Sequence, residues 1–433
     1  MGRKSKQIRL LVLLNGKRVG ILARNSSGGM EFTYAEEWLR TVDAMPVSQS
    51  LPLRELPYRG APVEAYFDNL LPDNDEIRRR ITERLATAGK ETVDLLAAVG
   101  RDCVGALQFV PEGDSVNRPG PIRGEEISER EIGAILRNLK MAPLGLDREG
   151  DFRISIAGAQ EKTALLRWNG RWHRPKGQTP TTHILKPAMG RLPNGIDMSA
   201  SVQNEWFCLK LAGHFGLTAA QADMRTFDGV DCLVVERFDR KWSEDGNHLM
   251  RIPQEDLCQA LGVPWARKYE SEGGPGIVTI MDFLNASDRR ERDRMEFLRA
   301  QLVLFLLGAI DGHAKNFSIA LLTTGFQLSP IYDVMTVLPA LAERQIQPKQ
   351  AKLAMAVGDH KHYRLGEIQR RHWEQTARKA GFPLSNLQSL LQDLFDRTSR
   401  IDALVDRLGK DVPPRLADAV MVGIKKHLKA LGA

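Results

Sequence analysis

Runs of apolar residues at Ile8–Leu14 and Val19–Ala23 flank Asn15-Gly16, the dipeptide favoured in two-residue hairpin turns. The pattern predicts a hairpin, a third strand at Met30–Tyr34 and a short helix over Tyr34–Thr41. Leu51–Pro57 is broken by prolines and predicts an extended connector. Helical periodicity follows at Val63–Leu70, Asp75–Ala86 and Thr92–Ala98, then a strand at Gly105–Val110. Pro111–Gly124 reads as a linker, and Ile127–Leu139 as an amphipathic helix opened by the capping box Ser128-Glu-Arg-Glu131. Phe152–Trp168 reads as strand, tight turn at Ala157-Gly-Ala-Gln160, strand. Further strands are expected at Thr181–Lys186 and Cys232–Phe238, and helices from Gln203 to His214 and over Ile252–Leu261.

The longest apolar stretch is Phe297–Ile310, fourteen residues that run directly into Asp311-Gly-His-Ala-Lys-Asn-Phe317. Fourteen residues are too few to span a bilayer, so the stretch predicts a buried core helix with a polar heptapeptide at its end. A hairpin follows (Phe317–Leu322, Gly325–Leu328), then Ile331-Tyr-Asp333. Beyond Asp333 the chain is expected to be mostly helical: Glu367–Gly381, Leu384–Leu394, Arg397–Leu408 and Pro414–Leu431.

Composition narrows the class. The 433 residues are 42% hydrophobic and 27% charged, the profile of an ordinary globular protein of two or three domains, and the net charge of +7 permits a polyanion partner. The expected division is an α+β unit at 1–110, a linker and helix at 111–150, a region at 151–240 with the candidate phosphate loop, and a helical region at 241–433. Arg3, Lys4 and Lys6 ahead of Ile8–Leu14 have the layout of half a signal peptide. Asn15-Gly-Lys-Arg18 follows with no small-residue cleavage site, which favours a strand. Cys103, Cys208, Cys232 and Cys258 form no metal spacing and read as free thiols in a reducing cytoplasm.

The candidate chemistry lies in the order of the polar residues. Asp311 and Asn316 have the spacing at which protein kinases place a catalytic Asp and a metal-binding Asn, and Asp333 falls where the second metal ligand belongs. Asp-Gly is equally a turn, and Asn316 a cap. Lys186 ends a strand, as a phosphate-holding lysine does, and Glu205 opens the next helix either as its ion-pair partner or for the helix dipole. The small side chains of Ala157–Gln160 fit a phosphate-approaching turn or a plain hairpin. Tyr269–Ile277 fits a substrate loop or a surface loop. Lys349–Lys379 holds eight Lys/Arg against three Asp/Glu, a net of +5 that suits DNA phosphates or a solvated basic face. With the Cys232–Phe238 strand in the place of a kinase hinge strand, six kinase features in kinase order argue for a divergent kinase, although the Gly-rich loop and the His-Arg-Asp and Asp-Phe-Gly tripeptides are missing.

Long motifs carry a family resemblance: Ser155-Ile-Ala-Gly-Ala-Gln-Glu-Lys-Thr-Ala-Leu-Leu166, Pro180-Thr-Thr-His-Ile-Leu-Lys186, Val235-Glu-Arg-Phe-Asp-Arg240, Pro253-Gln-Glu-Asp256, Lys268-Tyr-Glu-Ser-Glu-Gly-Gly-Pro-Gly-Ile277, Asp311-Gly-His-Ala-Lys-Asn-Phe-Ser318 and Tyr332-Asp333. The sequence resembles the HipA toxins, serine/threonine kinases of bacterial toxin–antitoxin pairs. The resemblance implies an α+β, protein-kinase-like two-lobed fold with an added N-terminal α+β subdomain and a mostly helical C-terminal lobe. It implies Asp311 as general base, and Asn316 and Asp333 as Mg²⁺ ligands. For ATP it implies Ala157, Gly158, Ala159, Gln160, Glu161, Lys162 and Lys186 about the phosphates and Glu236, Arg237 and Phe238 about adenine, with His313, Tyr332 and Asp333 also in contact. Ser155 is the implied autophosphorylation site. The implied partners are a helix-turn-helix antitoxin, operator DNA through the complex (Arg370, Arg371 and Lys379 as candidate contacts) and an aminoacyl-tRNA synthetase as substrate, with growth arrest and persistence as outcome. The rival readings are a small-molecule kinase and a DNA-bound corepressor with a vestigial nucleotide site.

Overall fold

The computed structural model describes residues 8–25, 28–114, 121–146 and 152–432. The basic N-terminal residues and the middle of the expected linker lie outside the described residues. The chain divides into two units, one of Met1–Pro187, Arg225–Ala266 and Ile319–Thr324, the other of Ala188–Met224, Arg267–Ser318 and Gly325–Ala433.

The first unit contains a five-stranded sheet, a six-stranded sheet and the two-stranded pair Arg240–Trp242 with Leu249–Arg251. The five-stranded sheet has the order Tyr58–Arg59, Met30–Tyr34, Lys17–Arg24, Arg9–Leu14, Leu107–Pro111, all antiparallel. Its first hairpin turns through Asn15 and Gly16, both at positive φ (47° and 78°), as a type I′ turn demands. Helices Ala61–Asp68, Asp75–Leu85 and Thr92–Val99 pack on it, and Phe32, Phe67 and Phe109 meet at the centre with ring centroids 5.4 and 5.8 Å apart. The six-stranded sheet has the order Ala222–Phe227, Val230–Glu236, His183–Pro187, Thr163–Trp168, Arg171–Pro175, Gly124–Glu126. The helix Glu129–Arg137 covers it, opened by the expected capping box with both halves made.

Two expectations are corrected. Phe152–Ile156 is not a strand: it is a buried extended segment whose Ser155 N–H bonds the Asp102 carbonyl (3.0 Å), so Ala157–Gln160 is a loop rather than a hairpin turn. The helix expected over Ile252–Leu261 is a strand, Gln254–Asp256, followed by one turn at Leu257–Ala260, because Asp256 caps that turn and cannot sit inside it. The region after Asp333 also contains a hairpin, Lys352–Val357 with His362–Arg364.

The second unit is built on helices. Arg290–Leu307 is polar at its start and buried on all sides from Phe297 onward, apart from Arg299, as expected of a core helix. Phe297 meets Phe317 at 5.0 Å, and Phe305 stacks on His427 at 4.8 Å from the helix Pro414–Leu431. Among the described residues no helix is long and apolar enough to cross a membrane, and all four cysteines are buried.

Candidate active site

The apolar helix sets the position of the heptapeptide. It ends at Gly308 in the left-handed region (φ 59°), where Gly308 and Ala309 N–H close the last turn on Phe305 and Leu304. A Cβ on Gly312 would lie 2.4 Å from Leu304 Cδ1, so the chain needs glycine to pass this close to the helix end. The loop then tightens into the 3₁₀ turn Ala314–Asn316.

Its hydrogen bonds fix the functional side chains. Asn316 Nδ2 donates to the Asp311 carbonyl (2.7 Å), which turns the amide so that its oxygen, a hard metal ligand, is the other face presented. Asp311 O also accepts His313 N–H (2.8 Å), and His313 O accepts Asn316 N–H (2.9 Å). The Asp311 side chain is 59% exposed in an otherwise buried loop, and the Tyr269 hydroxyl donates to its Oδ1. His313, buried, stands edge-on to the Tyr269 ring (5.0 Å), its Nε2 3.8 Å from the same oxygen. Tyr332 shares a hydroxyl hydrogen bond with Ser318 (2.5 Å) and donates to the Lys315 carbonyl (2.9 Å). Asp333 has φ 56°, a left-handed conformation unusual outside glycine and concentrated at functional sites. Asn204 clamps the chain just beyond it, accepting Thr336 N–H and donating to Thr336 O (both 2.9 Å). Asp311, His313, Asn316, Tyr332 and Asp333 therefore lie within one unit, on one braced stretch. Tyr269 and Asn204 are supports that spacing did not reveal; Tyr269 stands inside a motif of the resemblance, and Asn204 beside Glu205.

In the first unit Lys186 sits on the His183–Pro187 strand, opposite Leu233 and buried between two neighbouring strands. In the loop, Gly158 has φ 106°, its carbonyl accepts Asp73 N–H (3.2 Å), and Lys162 Nζ donates to the Ala157 carbonyl (2.6 Å). Gln160 Nε2 reaches Pro187 O (3.3 Å), and Glu161 pairs with Arg80 (2.6 Å). Ser155 is fully buried, and its hydroxyl donates to the Leu70 carbonyl (2.7 Å). Lys186 and Glu205 are both buried but belong to different units.

Arg237 is anchored inside the first unit. Its N–H bonds Thr182 O (2.8 Å), and its guanidinium is buried against Asp239 (2.8 Å) and Asp102 (3.4 Å). Arg240 joins both aspartates at 2.9 Å, and Arg251 joins Asp102 at 3.0 Å. Burial opposes the Asp102 charge, but Arg240, Arg251 and Arg237 together hold its carboxyl well below the usual range. Of the expected adenine segment, Glu236 is exposed, Phe238 half-buried and Arg237 buried. In the basic segment, Arg370 pairs with Glu374 (3.1 Å), Lys379 with Asp359 (3.0 Å), and Arg371 Nε lies 3.2 Å from His372 Nε2.

Residues 154–403 match the HipA-like C-terminal domain, and residues 10–110 match the HipA N-terminal domain. The chain belongs to the HipA family. It is 35% identical over 401 residues to a Sinorhizobium fredii protein named putative kinase Y4mE (92% of this chain, 91% of that one). It is 29% identical over 340 residues to the Shewanella oneidensis serine/threonine-protein kinase toxin HipA (75% and 73%). The HipA of Shewanella oneidensis MR-1, solved with HipB and its operator DNA, has the same fold (TM-score 0.78, 24% identity, 97% of this chain and 96% of that one). The fold is accordingly the α+β, kinase-like one of HipA, with the HipA N-terminal domain ahead of it.

Proposed function

We propose that this HipA-family chain is an Mg-ATP-dependent serine/threonine protein kinase and the toxin of a toxin–antitoxin pair. The observation that carries the reading is the Asp311–Asn316 turn: an exposed carboxylate oriented by Tyr269, beside an amide oriented by the Asp311 carbonyl itself. Asp311 takes the proton of the incoming Ser/Thr hydroxyl. The Asn316 oxygen and the Asp333 carboxylate suit Mg²⁺, which keeps several waters and needs few protein ligands. The lack of any cluster of three His, Cys, Asp or Glu among the described residues is compatible with that. Magnesium, when bound, neutralises charge on the transferring phosphate. Lys186 holds phosphates, the Ala157–Lys162 loop covers them with its amides, and Glu236, Arg237 and Phe238 bind adenine, the buried Arg237 guanidinium anchoring the segment. His313 and Tyr332 brace the loop and border the nucleotide, and Glu205 fixes Lys186.

Ser155 is the autophosphorylation site of this reading, and its phosphorylation inactivates the kinase. A helix-turn-helix antitoxin is the proposed partner, with operator DNA bound through the complex. Arg370, Arg371 and Lys379 would exchange their present contacts for phosphates. The substrate is a translation component, an aminoacyl-tRNA synthetase. The HipB–operator complex of the Shewanella protein supports the partner assignment.

Incubation with labelled Mg-ATP and a bacterial extract tests the activity. Label should enter protein, and Asp311→Asn or Asn316→Ala should abolish it. Label in a metabolite and none in protein would favour a small-molecule kinase. DNA affinity of the antitoxin complex that survives Asp311→Asn and falls steeply with salt would show that binding is separate from catalysis.

A further inference from the structure

A cavity of about 700 Å³ opens in the first unit, and none of its described lining residues belongs to the nucleotide or metal set above. That volume suits a small molecule, for which sites run from about 300 to about 1,000 Å³. Trp38, Met45 and Met250 supply apolar wall. Lys17, Arg123, Lys176 and Arg251 supply cations, against Asp43 as the one carboxylate among the described lining residues. Lys176 is paired with Glu125 at 3.1 Å, whereas Lys17 and Arg123 carry no ion pair among the described residues.

Arg251 decides the chemistry. It is 5% exposed, yet lines the cavity. Its Nε and Nη2 bond Asp102 Oδ1 (3.0 Å each), and Nη2 also bonds Gln178 O (3.0 Å). Nη1 has no hydrogen-bond partner among the described residues and is not among the sealed polar atoms. The buried network sets three guanidiniums, Arg237, Arg240 and Arg251, against two carboxylates, Asp102 and Asp239. One positive charge is in excess, and an unpaired buried charge calls for a counter-ion. Arg237 and Arg240 each reach both aspartates, so Arg251 is the cation the aspartates do not require. The crowding also registers on Arg240, which burial and Arg237 together lower to about 10.

We propose that this cavity is a binding site for a small organic anion. Its oxygens meet Arg251 Nη1 between Lys17 and Arg123, and its apolar body rests against Trp38, Met45 and Met250. The site is independent of the kinase reading.

Calorimetric titration of the full chain with indole-3-acetate and other aryl- and alkylcarboxylates tests it, with tryptophol as the uncharged analogue and inorganic phosphate as the anion without an apolar body. At least one carboxylate should bind saturably, with the uncharged analogue and phosphate each weaker by about tenfold or more. The double variant K17E/R123E changes only rim side chains and should weaken binding by at least about tenfold. Arg251→Gln should do the same while leaving two arginines facing two aspartates. The proposal is overturned if no carboxylate in the series binds, if tryptophol or phosphate binds as well as the carboxylates, or if K17E/R123E binds them unchanged.

Discussion

Phosphorylation of Ser155 is the perturbation whose consequence the structure defines most closely. The hydroxyl is fully buried and donates to the Leu70 carbonyl at 2.7 Å. A phosphate would bring a charge of about −1.5 to −2 and three acceptor oxygens into this position. Two outcomes compete. If the segment stays docked, the phosphate is buried at a cost of several kcal/mol per unit charge even after relaxation, and so close to twice that for the group. If the segment leaves, it gives up the burial of Ile154 and Ile156, about 1.5–3 kcal/mol each. It also loses the Ser155–Asp102 and Asp73–Gly158 backbone hydrogen bonds, worth about 1 kcal/mol apiece. Departure costs about 5–8 kcal/mol in total, an upper figure because a displaced segment keeps some cover. Departure therefore wins, and takes the Ala157–Lys162 loop with it. ATP affinity of phosphorylated chain and of Ser155→Asp should fall by about 100-fold or more, a loss of at least about 2.7 kcal/mol. Ser155→Ala should stay within a few-fold of the parent, and protease should cut between residues 152 and 162 only in the charged forms. Titration calorimetry with ATP and limited proteolysis read both effects. A phosphoprotein with unchanged ATP affinity and an uncut segment would refute the reasoning.

Three further outcomes are expected. Arg237→Met leaves Arg240 and Arg251 to balance the two aspartates but deletes the bidentate hydrogen bonds to Asp239, and should lower unfolding free energy by about 2–3 kcal/mol, measured by denaturant titration. Glu255 is buried among Ser48 (2.5 Å) and the Gln49 N–H (2.9 Å), and burial pushes its carboxyl up to about 8. Because the folded value lies above the unfolded one, its contribution is whole below about pH 4.5 and is lost as pH rises through 8; Glu255→Gln should therefore gain on the parent between those values, and a parallel pair of stability–pH curves would contradict it. Tyr269→Phe deletes the hydroxyl that orients Asp311; with that carboxylate 59% exposed, water compensates in part, so kcat should drop by about tenfold with little change in thermal stability.

Local signals were legible in the sequence. Asn15-Gly16 and the Ser128–Glu131 capping box announced a turn and a helix start, because both depend on neighbours only. The apolar run before Asp311 marked the braced loop for the same reason, and kinase order brought Asn316 and Asp333 to it. What stayed hidden depends on distant partners. Asp102, Arg237, Asp239, Arg240 and Arg251 form one buried network from stretches that share no pattern, so no spacing announced it. Phe152–Ile156 has strand-like apolar spacing, but its N–H at Ser155 is spent on Asp102 rather than on a sheet neighbour. Gln254–Asp256 has helical spacing up to Leu261, yet Asp256 serves as the cap.

Intact and peptide mass spectrometry after incubation with Mg-ATP, beside Asp311→Asn, tests the kinase assignment most directly. A single added phosphate on Ser155, absent from the variant, is the expected result. No phosphate on protein from either form, starting from unphosphorylated chain, would contradict it.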